Sequence, residues 1–249
     1  MPSRRRELLL ATAALGLGGV GGVAASLLAA PPHLFRRTPE EAPAAPAGVP
    51  QAKKQQDEEP NSPPETLMLD HAVEERLLLI YAEIADRLAA QVDRAVIGLL
   101  RQSALVVRKF AEDYHQKFEE QQIFPSLSGR AELGPLLTTL RAQHTAGRMV
   151  TDKILAATAG PPAAGRDLAA ACRAFIRLRR PHMAREATQV FQVLYDCLAE
   201  KKIDEISEAL ETKQEELLGP SGLEKLLAQI AAVEKELGLD DLHKFTPQS

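Results

Sequence analysis

Three breaks divide residues 65–198 into four stretches of helix length, and each stretch holds a single histidine. The first break is Asp93, a residue type that caps helices. The second is Pro125 with the small polar cluster at 126–129. The third is Gly160-Pro161-Pro162. Ser62-Pro63-Pro64-Glu65 reads as a helix start, because a capping side chain precedes prolines in the first turn. The predicted helices run over about 65–91, 93–124, 131–158 and 164–198, with Pro135 tolerated in the first turn of the third. Two more follow, 199–218 up to Gly219-Pro220 and 222–237 up to Gly238. The sequence is rich in Ala, Leu and Glu, and no stretch alternates as a half-buried strand would. The fold class is therefore all-α: an antiparallel up-down four-helix bundle with additional C-terminal helices.

The histidines of the four stretches are His71, His115, His144 and His182. Two residues on adjacent antiparallel helices lie level when the turn falls midway between them. The midpoint of His71 and His115 is Asp93. That of His115 and His144 lies between Gly129 and Arg130, and that of His144 and His182 is Ala163. All three coincide with the breaks. From His71 to its turn is about 22 residues, or about 33 Å of helix, and the return leg has the same length. The four imidazoles therefore reach one depth in the bundle. His33 and His243 lie in the stalk and the tail and stand apart from this set.

Two of the four have a glutamate on the same helix face one turn later, His115 with Glu119 and His182 with Glu186. The accompanying residues place these faces inward. They are Leu67, Leu78 and Ala85 with His71; Ala111, Phe118 and Ile123 with His115; Leu137, Leu140, Gly147 and Thr151 with His144; and Phe175, Leu178 and Val193 with His182. Burying two glutamates among apolar side chains is costly unless they meet a cation. A metal favours neutral imidazole and ionised carboxylate together. Nitrogen and oxygen donors without thiolate suit iron, manganese or zinc. The expected ligands are His71, His115, Glu119, His144, His182 and Glu186. Each carboxylate bridges two ions, and an oxo or hydroxo bridge with exchangeable water completes the coordination.

Composition removes other classes. The chain has 30 basic and 34 acidic residues and few aromatics. Residues 1–37 are net basic and the remainder is acidic. No basic face for nucleic acid is expected on such a body. Two cysteines, Cys172 and Cys197, make neither a disulfide framework nor a thiolate zinc site. The uncharged run at 8–30 follows Arg4-Arg5-Arg6-Glu7, the layout of an export signal, and is equally long enough for a membrane anchor. Arg5-Arg6-Glu7-Leu8-Leu9 resembles a twin-arginine signal, which implies export of an already folded protein to the periplasm. Residues 31–64 are rich in proline and read as a disordered stalk. The expected organisation is thus 1–30 export signal or anchor, 31–64 linker, 65–198 bundle and 199–249 helical extension. The only membrane contact expected is an uncleaved N-terminus. Leu223, Leu226, Leu227, Ile230, Val233 and Leu237 form an apolar stripe on the last helix, read as packing on the body or as a dimer contact.

Asp70-His71, the run from His115 to Glu120 with Ile123-Phe124-Pro125 behind it, His144, and His182 to Glu186 together resemble the hemerythrin-like (HHE cation-binding) family. The resemblance covers about residues 65–198. It implies a non-haem di-iron centre in a four-helix bundle, with manganese as an alternative metal. The roles it implies are binding or sensing of dioxygen or nitric oxide, redox chemistry on a ligand such as peroxide, and iron-centre repair or iron handling. Oxygen carriers of the family have a second histidine one turn after the third-helix one. Arg148 stands there in this chain, which argues against simple oxygen transport. Glu75, one turn after His71, is either an extra ligand or a neighbour of Arg76. Arg177, Arg179 and Arg180 read as a solvated basic run, Tyr114 as core, and Pro181 as a kink or restart before His182. A metal-free helical interaction module is the remaining alternative.

Overall fold

A computed structural model describes residues 61–160, 165–197 and 199–247. The export segment and most of the stalk lie outside these residues, as does Ala163. Among the described residues the chain is all-helical. Helix α1 is Pro63–Ala90. Helix α2 occupies residues 94–126 and α3 is Gly134–Ala159, entered through a tight 3₁₀ turn at Ala131–Leu133. Helix α4 occupies residues 165–197. Then come α5, Glu200–Leu218, and α6, Gly222–Leu237.

The starts follow from local chemistry. Glu65 Oε2 accepts from both the backbone N–H and the hydroxyl of Ser62, each at 2.8 Å, which ties down the entry to α1. Asp93 Oδ1 accepts from the Ala95 N–H at 2.8 Å and caps α2. Gly238, at φ 71°, ends α6 in the left-handed conformation that glycine adopts without strain.

Each of the four long helices packs on its sequence neighbours, and α4 returns against α1, closing the bundle. The core is aliphatic with buried Phe110, Phe124, Phe175 and Phe191. Two helices depart from regular α geometry. In α2, Val107–Gln116 and Glu119–Ile123 are π-helical, and in α4 Glu186–Val190 is π-helical. These are the two helices that carry the His-x-x-x-Glu pairs. Wider π turns re-aim side chains and concentrate at functional positions. Pro181 does not restart α4; the helix runs through it, with its ring on the exposed side. Downstream of the π turn the buried face is Val190, Phe191 and Leu194, whereas Val193 is half-buried, so the inward stripe of α4 is displaced from the simple helical expectation.

The C-terminal extension lies on the bundle. Helix α5 packs on α1 and the π-helical part of α2, and α6 packs on α1 and α2. Leu226, Ile230, Val233 and Leu237 are buried, while Leu223 is half-buried. Arg76 pairs with Glu234 through two hydrogen bonds of 2.8 and 2.6 Å, and Arg87 donates to the Leu237 carbonyl at 2.7 Å. The stripe is therefore covered within its own chain. Among the described residues no helix is long and apolar enough to cross a membrane. Ile230→Ala is expected to destabilise the body by about 2–4 kcal/mol through the cavity it leaves, measured by urea denaturation.

Candidate metal centre

The structure brings all six sequence-predicted residues together in the bundle interior. His115, Glu119, His144 and Glu186 are fully buried, His182 is 1% exposed and His71 is 8% exposed. The donors divide into two halves. In one, His144 Nε2 and His182 Nε2 lie 3.0 Å apart, with Glu119 Oε2 3.4 Å and Glu186 Oε1 3.7 Å from His144 Nε2. Glu186 Oε1 is also 2.9 Å from His182 Nε2. In the other, Glu119 Oε1 is 3.4 Å from His115 Nε2 and Glu186 Oε2 is 3.5 Å from His71 Nε2. Each carboxylate thus gives one oxygen to each half.

These spacings match shared cations. Two donors each about 2.1 Å from one ion lie about 3.0 Å apart at a right angle and at most about 4.2 Å apart. The tautomers point the same way. His144 Nδ1–H donates to Glu120 Oε1 at 3.0 Å, and His182 Nδ1–H donates to Gln143 Oε1 at 2.9 Å. With both rings neutral, each would turn a bare lone pair from Nε2 toward the other. Such an encounter is repulsive unless a proton on one ring or a metal cation stands between them. His115 Nδ1–H donates to Asp70 Oδ2 at 3.0 Å, leaving its Nε2 free as well. Hydrogen-bonded Nδ1 groups of this kind orient metal-binding imidazoles. Apart from the cluster's own histidines and carboxylates, both oxygens of Glu119 and of Glu186, Nε2 of His115 and both nitrogens of His71 have no hydrogen-bond partner. Buried polar atoms are rarely left so. The donor set therefore fits metal ions.

The surroundings refine the expectations. Glu75 is at the surface, held by Arg180 at 2.6 Å, and does not face the centre. The neighbouring Glu74 does. It is buried, and its Oε1 lies 3.9 Å from His115 Nε2. Arg179 is not solvated: it is 0% exposed and donates to Glu74 Oε2 through Nη2 at 2.6 Å and Nε at 3.0 Å. Arg177 and Arg180 are the exposed members of that run. Arg148 turns away from the donors and binds Glu120 Oε1 at 2.6 Å, steadying the carboxylate that holds His144. Tyr114 is core, packed on Phe110, and its hydroxyl donates to Gln214 Oε1 at 3.4 Å. Phe124 stacks on His144 and Phe191 lies against His71, which keeps the centre dry. Cys172 is a free, buried thiol. The sequence reading missed Glu74, Arg179, Glu120 and Gln143. Helical spacing carried a signal for two of them, since Glu74 and Arg179 each lie three residues from a histidine on the same face.

A model of the hemerythrin HHE cation-binding domain matches residues 62–194. The chain belongs to that family. It is 40% identical over 194 residues to the uncharacterized proteins Mb2018 of Mycobacterium bovis and Rv1995 of Mycobacterium tuberculosis, covering 76% of each chain compared. No solved structure matches.

The metal-free protein holds protons where ions would sit. Burial alone would lower the pKa of His144, but hydrogen bonds to Glu119, Glu120 and Glu186 raise it to about 10. Burial is likewise overcome at His115 by Glu119 and Asp70, which raise its pKa well above the usual histidine value. At His182 burial dominates and the pKa falls. Glu119 is pushed up by burial and by Glu186, yet His115 and His144 bring it down to about 2. A raised histidine pKa means that the proton's contribution to the metal-free fold is complete below the unfolded value of 6.5. For His144 it is lost as pH rises through about 10. Metal ions must displace these protons. Anaerobic iron(II) binding at pH 7 is expected to release about two protons per chain and to weaken as pH falls, measured by calorimetry in buffers of different ionisation enthalpy.

Proposed function

We propose that this protein is an exported non-haem di-iron protein that binds or senses a small ligand such as dioxygen or nitric oxide. The family supplies cation binding. The observation that carries the finer reading is the division of two buried carboxylates between two pairs of imidazoles, with their oxygens otherwise unpartnered. Four imidazoles and two shared carboxylates suit two ions better than one. His71, His115, His144 and His182 would be terminal ligands and Glu119 and Glu186 the bridges, with an oxo or hydroxo group between the irons. Manganese is the alternative metal. Export through a twin-arginine-type N-terminus fits a centre assembled before translocation.

When bound, the iron pair supplies open positions for a small ligand and a capacity for electron exchange. The chain's own groups set the conditions. Asp70, Glu120 and Gln143 fix three rings through their Nδ1–H groups, so the Nε2 lone pairs face inward. Arg148 holds Glu120 in place. Phe124 and Phe191 exclude bulk water and strengthen every charge interaction inside. Arg179, paired with Glu74, lies beside the two shared carboxylates and favours their ionised form.

A second reading is a di-iron redox enzyme or an iron-handling protein acting on peroxide, oxygen or nitric oxide. It is favoured by Arg148, which occupies the place of an additional imidazole without reaching the donors. Steady-state turnover with an added reductant supports this reading, and stoichiometric ligand binding without turnover supports the first. His115→Ala and Glu119→Ala are each expected to remove most bound iron from the full chain. Unchanged iron content in both variants, by metal analysis, would contradict the assigned centre.

A further inference from the structure

The two halves of the centre are unequally compact. Each half has two imidazoles and one oxygen from each shared carboxylate, but the donors of His144, His182, Glu119 and Glu186 are all mutually close, whereas in the other half only those of His71, His115 and Glu119 are. Against the less compact half lies one more buried carboxylate. Glu74 sits three residues after His71 on α1, is 2% exposed, and has its Oε1 3.9 Å from His115 Nε2. That separation is within the span of about 4.2 Å that two donors on one ion can have. Glu74 is also divided in its bonding. Oε2 takes both hydrogen bonds from Arg179, at 2.6 and 3.0 Å, while Oε1 has no partner. A buried ion pair in its most favourable form would share both carboxylate oxygens with the two-pronged guanidinium. Here the guanidinium grips one oxygen and leaves the other bare beside a metal-facing nitrogen.

We propose that Glu74 is a third metal-binding carboxylate, serving the ion of the His71–His115 half, and that Arg179 is the positioning residue that aims its free oxygen. The proposal rests on the di-metal reading and adds a seventh protein donor to it. The ions then differ. One is held by two imidazoles and the two bridging carboxylates, and the other has a terminal carboxylate of its own. An added anionic oxygen favours the harder, more highly charged state of a metal. The His71–His115 ion is accordingly the one more readily held oxidised.

The test is anaerobic iron(II) titration of the full chain, read by metal analysis and by Mössbauer spectroscopy with iron-57. The wild-type chain is expected to take up two ions in unequal environments. Glu74→Gln, which keeps shape and can still accept from Arg179, is expected to weaken one ion about tenfold or more and to leave the other in place. One Mössbauer signal should change while its companion persists. Glu74→Gln with Arg179→Gln removes the uncompensated cation and should show the same single-ion loss, which separates donor loss from an unpaired buried charge. Two ions retained at unchanged affinity, both lost together, or two indistinguishable irons in the wild type would each overturn the proposal. A wild-type chain that takes up fewer than two ions would instead overturn the di-iron reading beneath it.

Discussion

The centre depends on a confrontation of like groups. His144 and His182 turn their Nε2 atoms to within 3.0 Å of each other, and two ionisable carboxylates are packed against them with no water-facing side. Without a positive charge this arrangement is uphill, because lone pairs oppose lone pairs and buried anions lack solvation. A proton relieves part of it in the metal-free protein, as the raised pKa of His144 shows. Bound metal cations would relieve the rest. The rest of the bundle can be understood as the framework that makes the confrontation unavoidable.

That framework has two levels. The aliphatic core fixes the separation of the helices, and the polar groups behind the rings fix their rotation. Asp70, Glu120 and Gln143 each take one Nδ1–H, and Arg148 braces Glu120 in turn. The outer helix α5 comes close to this level, because Gln214 reaches the Tyr114 hydroxyl at 3.4 Å. The C-terminal extension therefore does more than cover apolar surface. It reaches Tyr114, the residue next to His115 of the centre.

The helices, their turns and the six central side chains were legible in the sequence, because proline and glycine mark turns and because residues four apart share a helical face. Asp93 capped where expected, and the midpoint arithmetic placed all four histidines level. What was not legible depended on fine rotation. Glu74 and Glu75 are adjacent on one turn, and spacing alone preferred the latter at four residues from His71. The structure buries the former and leaves Glu75 to Arg180. The same limit applied to the arginine run, where one of three side chains is wholly interior. The π turns carried no sequence signal of the kind that proline gives a kink, yet they displace the buried face of α4 beyond Glu186.

All six central residues sit in the middle portions of long helices, away from the connections at 91–93 and 127–130. Many proteins place chemistry on loops carried by a rigid scaffold. Here the scaffold is itself the instrument, and the connecting segments are released from that duty. Apart from the buried Leu127, their side chains can vary without touching the central residues. Diversification of such a protein has to proceed through helix faces, where each exchange is felt by packing and by chemistry at once.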